Sequence, residues 1–321
     1  MNKATKIWLI VAASLLFTGL ILFGSVMTML GWDFTKLSTV KYETNEHTIT
    51  QGFKNISIVC DTADIVFAPS EGTDVTVICH EQANLRHAVA VQDNTLTIKL
   101  TDTRRWYEYI GISFQNTTVT VYLPRAEYGA LRINSHTGDV TIPQDFSFDS
   151  MDISQSTGNV TSRASAHNDV KIKTSTGNIS VENVSVGALD LTVTTGKIRA
   201  SCVSCEGDVS IHVSTGDTTL TDISCGSFSS NGGTGDIDLK NVIASNALAI
   251  VRSTGDVEFE DCDAAIIAIK TETGDVEGTL LSAKVFFTKT DTGKVEVPKT
   301  MTGGMCEITT DTGDIEVKIS R

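Results

Sequence analysis

Thr-Gly-Asp and its close variants recur down this chain at an almost fixed interval. That interval limits the possible folds more than any other feature. The Gly of each Thr-Gly pair gives the series Gly138, Gly158, Gly177, Gly196, Gly216, Gly235, Gly255, Gly274, Gly293 and Gly313. Successive spacings are 20, 19, 19, 20, 19, 20, 19, 19 and 20 residues. A fixed period of this size marks a repeat architecture, in which each unit buries its apolar face on its neighbours.

With the Gly numbered zero, Thr stands at −1 in all ten units. Apolar residues fill −7 (Leu131, Val170, Leu189, Leu248) and −5 (Ile133, Ile172, Ile211, Ile250), with Ser230 and Thr288 as exceptions at −5. Position +2 is Val or Ile except at Thr218, and +4 is usually apolar, as in Ile142, Val181 and Phe259. A further apolar position often falls at +7, as in Val184, Ile223 and Val242. Alternation with period two means strands with one buried face. The phase breaks at the Gly, which tolerates positive φ, and the Asn or Asp that follows suits a bend. Each unit therefore reads as strand, Thr-Gly-Asp corner, strand, and a short polar connection.

Nineteen residues cannot enclose a core of their own. They can lay their strands on the identical strands of the next coil, so that inward residues stack into one apolar column. The fold class expected is all-β: a single-chain β-solenoid of 19–20-residue coils. At a strand spacing of about 4.8 Å, ten coils make a rod about 45 Å long. A leucine-rich repeat would need L-x-x-L-x-L, which is absent, and a propeller blade needs about 40 residues with four strands.

The hundred or so residues before Gly138 contain a related unit. In Ile56–Phe67, with Ala63 at zero, Ile56 is −7, Ile58 is −5, Thr62 is −1, Ile65 is +2 and Phe67 is +4. Further strands are expected at Val75–Cys79, Val89–Leu100 and Thr118–Pro124. Asp33–Gly52 reads as a polar stem. Thr101–Asn116, with Arg104, Arg105, Trp106, Tyr107 and Tyr109, reads as an insertion or long hairpin tip. The domain division expected is 1–32 as cytoplasmic stub and anchor, 33–130 as stem and atypical N-terminal β coils, and 131–321 as the ten-coil solenoid. Arg321 follows the last repeat directly, so the C-terminal coil is expected to present an unpaired edge open to self-association, blunted by Lys318 and Arg321.

The N-terminus differs in kind. Ile7–Leu30 carries no charge, and roughly 20 apolar residues span a bilayer core. Lys3 and Lys6 precede it, Asp33 follows, and Trp8 and Trp32 bracket it. The positive-inside rule leaves the N-terminus cytoplasmic and exports the body. A cleaved signal peptide is the rival reading. Its apolar region would be shorter, and Ser25-Val26-Met27 is a poor cleavage site. The expected location is the cell membrane, with a single span and an extracytoplasmic C-terminal body.

The order of features is an anchor, I-x-I…A-D-I-x-F, V-x-V-Y-L-P, and then tandem T-G-D-V-x-V coils. Over about residues 40–320 it resembles a bacterial family of unknown function labelled "putative adhesin". The resemblance implies a right-handed β-solenoid at the cell surface, in some members linked to envelope stress. It brings no catalytic residues with it.

Lys and Arg number 25 against 39 Asp and Glu, for a formal net charge of −14. Nucleic acid is therefore not an expected partner, since phosphate binding needs clustered cations. The partner is expected to be an unknown protein or glycan. The +1 column includes Asp217, Asp236, Asp256 and Asp275 on successive coils. These are the only metal candidates, and one Asp per coil is few ligands for Ca²⁺, which takes six to eight oxygens; solvated turn residues are the plainer reading.

Of seven cysteines, Cys60, Cys79, Cys262 and Cys306 fall in apolar slots. Cys202, Cys205 and Cys225 fall in connections. Cys205 and Cys225 share position +9, which makes them neighbours on adjacent coils and a candidate disulfide. Cys202-x-x-Cys205 lacks the second pair a metal site needs. His47, His80, His87, His136, His167 and His212 fall at unrelated phases. No H-E-x-x-H, G-x-S-x-G or Walker loop occurs. No cofactor is expected. The function expected is that of a non-enzymatic, membrane-tethered surface rod acting as adhesin, scaffold or envelope-stress protein. The alternatives are a polysaccharide-processing β-helix enzyme, which would need acidic and basic groups at one depth of a groove, and a regulatory partner of a membrane signalling system.

Overall fold

The computed structural model describes residues 2–37, 40–106 and 115–320 of the chain. One helix, Lys3–Met29, is long and apolar enough to cross a membrane or to act as a signal sequence. Among the described residues all other regular structure is strand, except a short 3₁₀ turn at Phe34–Leu37. The fold is a β-solenoid of about ten turns, as the period requires.

Each coil has three short faces. In the Gly177 unit the inward residues are Val170, Ile172 and Thr174, then Ile179 and Val181, then Val184 and Val186, all buried. The coils stack in parallel register, for example Leu189 on Val209 and Ile198 on Thr218. Alternate apolar residues thus form continuous inward columns, which is where the hydrophobic stabilisation lies.

The Thr-Gly corner is fixed by two constraints. Gly255 has φ 139°, outside the range L-residues favour, and a Cβ there would lie 2.2 Å from the carbonyl oxygen of Gly235 one coil away. Successive Thr-Gly coils can therefore close to strand spacing only if the corner has no side chain. The second corner, at +6, was read simply as a polar connection. It is a left-handed position held by Asn183, Cys202, Asp222, Asn241 and Asp261 (φ 51–56°). Asn and Asp tolerate that conformation best among residues with a Cβ.

The stack departs from chain order at both ends. Seven elements make the N-terminal cap: β1 (Tyr42–Ile49), β2 (Asn55–Val59), β3 (Asp64–Pro69), β4 (Val75–Gln82), β5 (Leu85–Gln92), β6 (Thr95–Asp102) and β7 (Thr118–Leu123). Ile56 of β2 pairs with Leu131 of the Gly138 coil on one side and with Leu96 of β6 on the other. Ile65 of β3 likewise lies between Val140 and Val119 of β7. The β6–β7 coil thus stacks outside the β2–β3 coil, although it comes later in the chain. β4 then pairs antiparallel with β7 and with β1, and β5 antiparallel with β6. Residues 42–49 are therefore part of the cap, not a bare stem.

At the other end, Ile267 pairs with Cys306, and Cys306 with Phe286. The C-terminal coil is inserted between the Gly274 and Gly293 coils. This corrects the expected edge: the outermost strand is Lys284–Thr292, with Phe287 57% exposed. Lys318 lies on an interior strand paired with Thr279, and Arg321 is outside the described residues.

Candidate functional site

An open groove of about 570 Å³ lies near the C-terminal end. Its lining includes the +3 residues Asp238, Glu258, Glu277 and Glu316, and Glu296 extends that column on the outermost coil. Asp238 pairs with Glu258, Glu258 with Glu277, Glu277 with Glu316, and Glu316 with Glu296. Five carboxylates thus stand in line at a spacing of about 4.8 Å. Gly278, at the inward +4 position beneath the groove, makes room for the ring of Phe259 one coil away: a Cβ there would lie 2.4 Å from Phe259 Cδ2. Like charges directly opposite destabilise a sheet. Burial, with the charges of Asp236 and Asp217, raises the carboxyl of Asp238 above its ordinary value. The +5 column adds partial compensation: Lys240 Nζ lies 2.7 Å from Glu260, and Lys318 reaches Glu316.

The Asp217, Asp236, Asp256 and Asp275 column has a definite structural task. Each Oδ1 accepts the backbone N–H of the +1 residue on the next stacked coil: Asp256 N donates to Asp236 at 2.9 Å, Asp275 N to Asp256 at 2.8 Å, and Asp314 N to Asp275 at 2.7 Å. Asp236 N donates to Asp217 at 3.4 Å. Asn159 and Asn178 continue the ladder. These four side chains are engaged in joining coils. The candidate insertion at Thr101–Asn116 lies largely outside the described residues, including Tyr107 and Tyr109.

Cys205 and Cys225 end strands Ile198–Cys205 and Thr218–Cys225 and point into the core rather than lying in connections. Both are free thiols. Burial pushes the Cys225 thiol up to about 12. Cys202 is exposed at the left-handed corner.

Two buried polar groups escaped the sequence reading. Arg252 is 2% exposed within the solenoid, and its Nη2 donates to Thr218 Oγ1 and Ser230 Oγ, both at 3.1 Å. Thr218 and Ser230 are breaks in the apolar +2 and −5 columns. Those breaks, with Gly232, were the signal: polar and small residues clustered on neighbouring coils make room for a large polar group.

The second group lies in the cap. Glu81 is fully buried. Its Oε2 accepts from the backbone N–H of His87 at 2.6 Å and lies 2.7 Å from His87 Nδ1, while Oε1 accepts from Asn45 Nδ2 at 2.8 Å. Cys79 shares the inward phase of β4 with Glu81, and the β4–β5 hairpin brings His87 across. Donor atoms of Cys79, Glu81 and His87 all lie within 4.8 Å of one another. The histidines are thus not all unrelated, as their phases suggested. The legible signal was Cys79-x-Glu81 in alternation, followed by a turn and a histidine. Burial first, then Glu81, pushes the thiols of both Cys60 and Cys79 up to about 12.

Family models of Toastrack DUF4097 match residues 53–212 and 204–321. The chain belongs to the Toastrack DUF4097 family. Among curated proteins none matches this Toastrack chain. Of solved structures, it is similar to a "putative lipid binding protein" from Parabacteroides distasonis, at 16% identity over 88% of this chain and 98% of the other, with a TM-score of 0.48. It is also similar to "putative adhesins" from the same species (14%, 87% and 98%, TM-score 0.48) and from Bacteroides fragilis (12%, 87% and 97%, TM-score 0.43). These likenesses are too remote to bring a ligand to this Toastrack chain.

Proposed function

We propose that this Toastrack protein is a membrane-tethered, extracytoplasmic rod that holds a cationic partner along its acidic groove, without chemical conversion. The observation that carries the reading is the line of Asp238, Glu258, Glu277, Glu316 and Glu296 on one outer face. A row of like charges costs stability and gains most when a ligand of opposite sign lies along it. The chemistry that fits is a basic peptide or an amine-bearing surface polymer, extended along the stack. The uncharged helix behind Lys3 and Lys6 supplies the tether and its orientation. In an oxidising compartment, Cys205 and Cys225 join adjacent coils through a disulfide.

The test is binding of the full chain, in detergent, to arrays of basic peptides, aminated polymers and neutral glycans. Capture by the cationic arrays is expected, weakened by Glu258→Gln with Glu277→Gln and by raised salt. Equal capture by neutral glycans with no salt dependence would remove the cationic partner from the proposal.

A polysaccharide-cleaving reading keeps one observation in its favour. Asp238, whose carboxyl burial raises, pairs with Glu258 one coil away, and retaining glycosidases place two carboxyls about 5–5.5 Å apart. Release of reducing ends from wall polysaccharide, abolished by Asp238→Asn, would establish it in place of passive binding.

A further inference from the structure

We propose that the N-terminal cap contains a zinc site formed by Cys79, Glu81 and His87. The three donors come from one hairpin, β4–β5, and lie within 4.8 Å of one another, each on a buried residue. A thiolate, a carboxylate and an imidazole suit Zn²⁺; the sulfur argues against Mg²⁺ and Ca²⁺, which take oxygen ligands.

Charge points the same way. Glu81 is fully buried, and its hydrogen-bond partners are His87 and Asn45, neither of them a Lys or Arg. Burying a carboxylate is costly unless its charge is balanced. The Cys79 thiolate and the Glu81 carboxylate together balance a dication, so the occupied site is neutral. An independent observation is His87 Nε2, which is buried without a hydrogen-bond partner, like Nε2 of His47 on the adjoining strand β1. Buried polar atoms without partners are few in native folds. The cap core therefore carries more polar capacity than the protein alone satisfies.

Asn45 holds Glu81 from outside the donor set, as a partner that orients a ligand does. Cys60, which follows β2, is a further buried free thiol in the same cap core. Binding displaces the Cys79 thiol proton, so uptake releases protons. The site cross-links the two strands of the hairpin, β4 and β5.

The test uses the full chain, purified in detergent under reducing conditions and titrated with ZnCl₂ or CoCl₂. One metal per chain is expected, with a rise in melting temperature and a thiolate-to-cobalt charge-transfer band. Zinc-edge X-ray absorption of the unaltered chain is expected to show mixed sulfur and nitrogen or oxygen neighbours, a readout that needs no variant. Cys79→Ser and His87→Ala should abolish the cobalt band. Asn45→Ala should weaken binding about 10–100-fold, and Cys262→Ser, in the distant core, should leave it unchanged. No bound metal in the folded, reduced wild-type chain overturns the site. So does retention of the full cobalt band in His87→Ala, or a Cys60–Cys79 disulfide in protein taken directly from its native membrane.

Discussion

A Cβ on Gly232 would lie 1.4 Å from Nη1 of Arg252. The glycine is the space that the guanidinium occupies, one coil away in the same inward column. Desolvation lowers the Arg252 pKa, and Asp236 acts in the opposite direction. Gly232→Ala should therefore destabilise the rod by evicting Arg252. In an Arg252→Ala background the same change should cost less, with a coupling of about 0.5–3 kcal/mol. Some cost remains, because the new Cβ also meets Val213 O at 2.9 Å. Urea midpoints of the four proteins measure this; strict additivity would mean the two residues do not share the site.

The corner glycines should be intolerant one by one. Gly216→Ala places a Cβ 1.9 Å from Gly196 O at φ 134°, and should cost at least about 1–3 kcal/mol from backbone strain alone. Ala63→Gly, at the one coil that already accepts a side chain in the slot, should change stability far less. Thermal melts compare them, and equal losses would contradict the stacking argument.

The order of coils at the C-terminal end is testable by cross-linking. Lys270 pairs with Thr309, whereas Lys289 is two coils away from it, about 9.6 Å at strand spacing. In a Cys202→Ser background, Lys270→Cys with Thr309→Cys should form a disulfide, and Lys270→Cys with Lys289→Cys should not. The opposite pattern would restore simple chain order.

Asp217 illustrates the acid response. Its hydrogen bond from Lys197, at 2.8 Å, holds its carboxyl below the ordinary value, helped by the Asp236 amide. A depressed folded pKa contributes stability that is present above the unfolded value and lost as pH falls through the folded one. The carboxylate is partly exposed, so its share is small. Lys197→Met should move the Asp217 titration upward and the acid-unfolding midpoint slightly upward with it. NMR titration reads the first; an Asp217 that already titrates at 3.8 in the wild type would remove the effect.

Thiol reactivity should divide by place. At pH 8 only the exposed Cys202 should alkylate quickly, while Cys225 and Cys306, both pushed up to about 12 by burial, should resist until the chain unfolds. Intact mass after timed alkylation counts the modified sites. Fast modification of Cys306 would show that the stack opens where the C-terminal coil is inserted.

How much of this was legible depended on whether the information repeated. The Thr-Gly period and the −7, −5, +2 and +4 columns fixed coil size and the inward faces, because every coil states the same rule. The +6 corner was less visible, since Asn183, Cys202 and Asp222 share a conformation but not a residue type. The acidic line at +3 is less legible than the +1 aspartates, because +3 holds Asp or Glu only in the later units, whereas Asp recurs at +1 from the first unit to the last; those +1 side chains hold coils together. Stacking order was not legible at all: the Gly293 and Gly313 units obey one pattern, and either could pack on the Gly274 coil. The Cys79–Glu81–His87 cluster depends on a single hairpin, which no periodicity describes.

The inserted C-terminal coil also bears on how the rod carries load. A terminal strand with one neighbour can be peeled away, its hydrogen bonds yielding one after another. Residues 305–316 are bonded on both flanks, to 266–277 and to 285–296, and 317–319 on one, to 278–280. A pull at the C-terminus frees the short single ladder first and must then shear two ladders together. Tension delivered there is shared across three coils, and the tail acts as a clamp instead of the loose end from which the rod unravels.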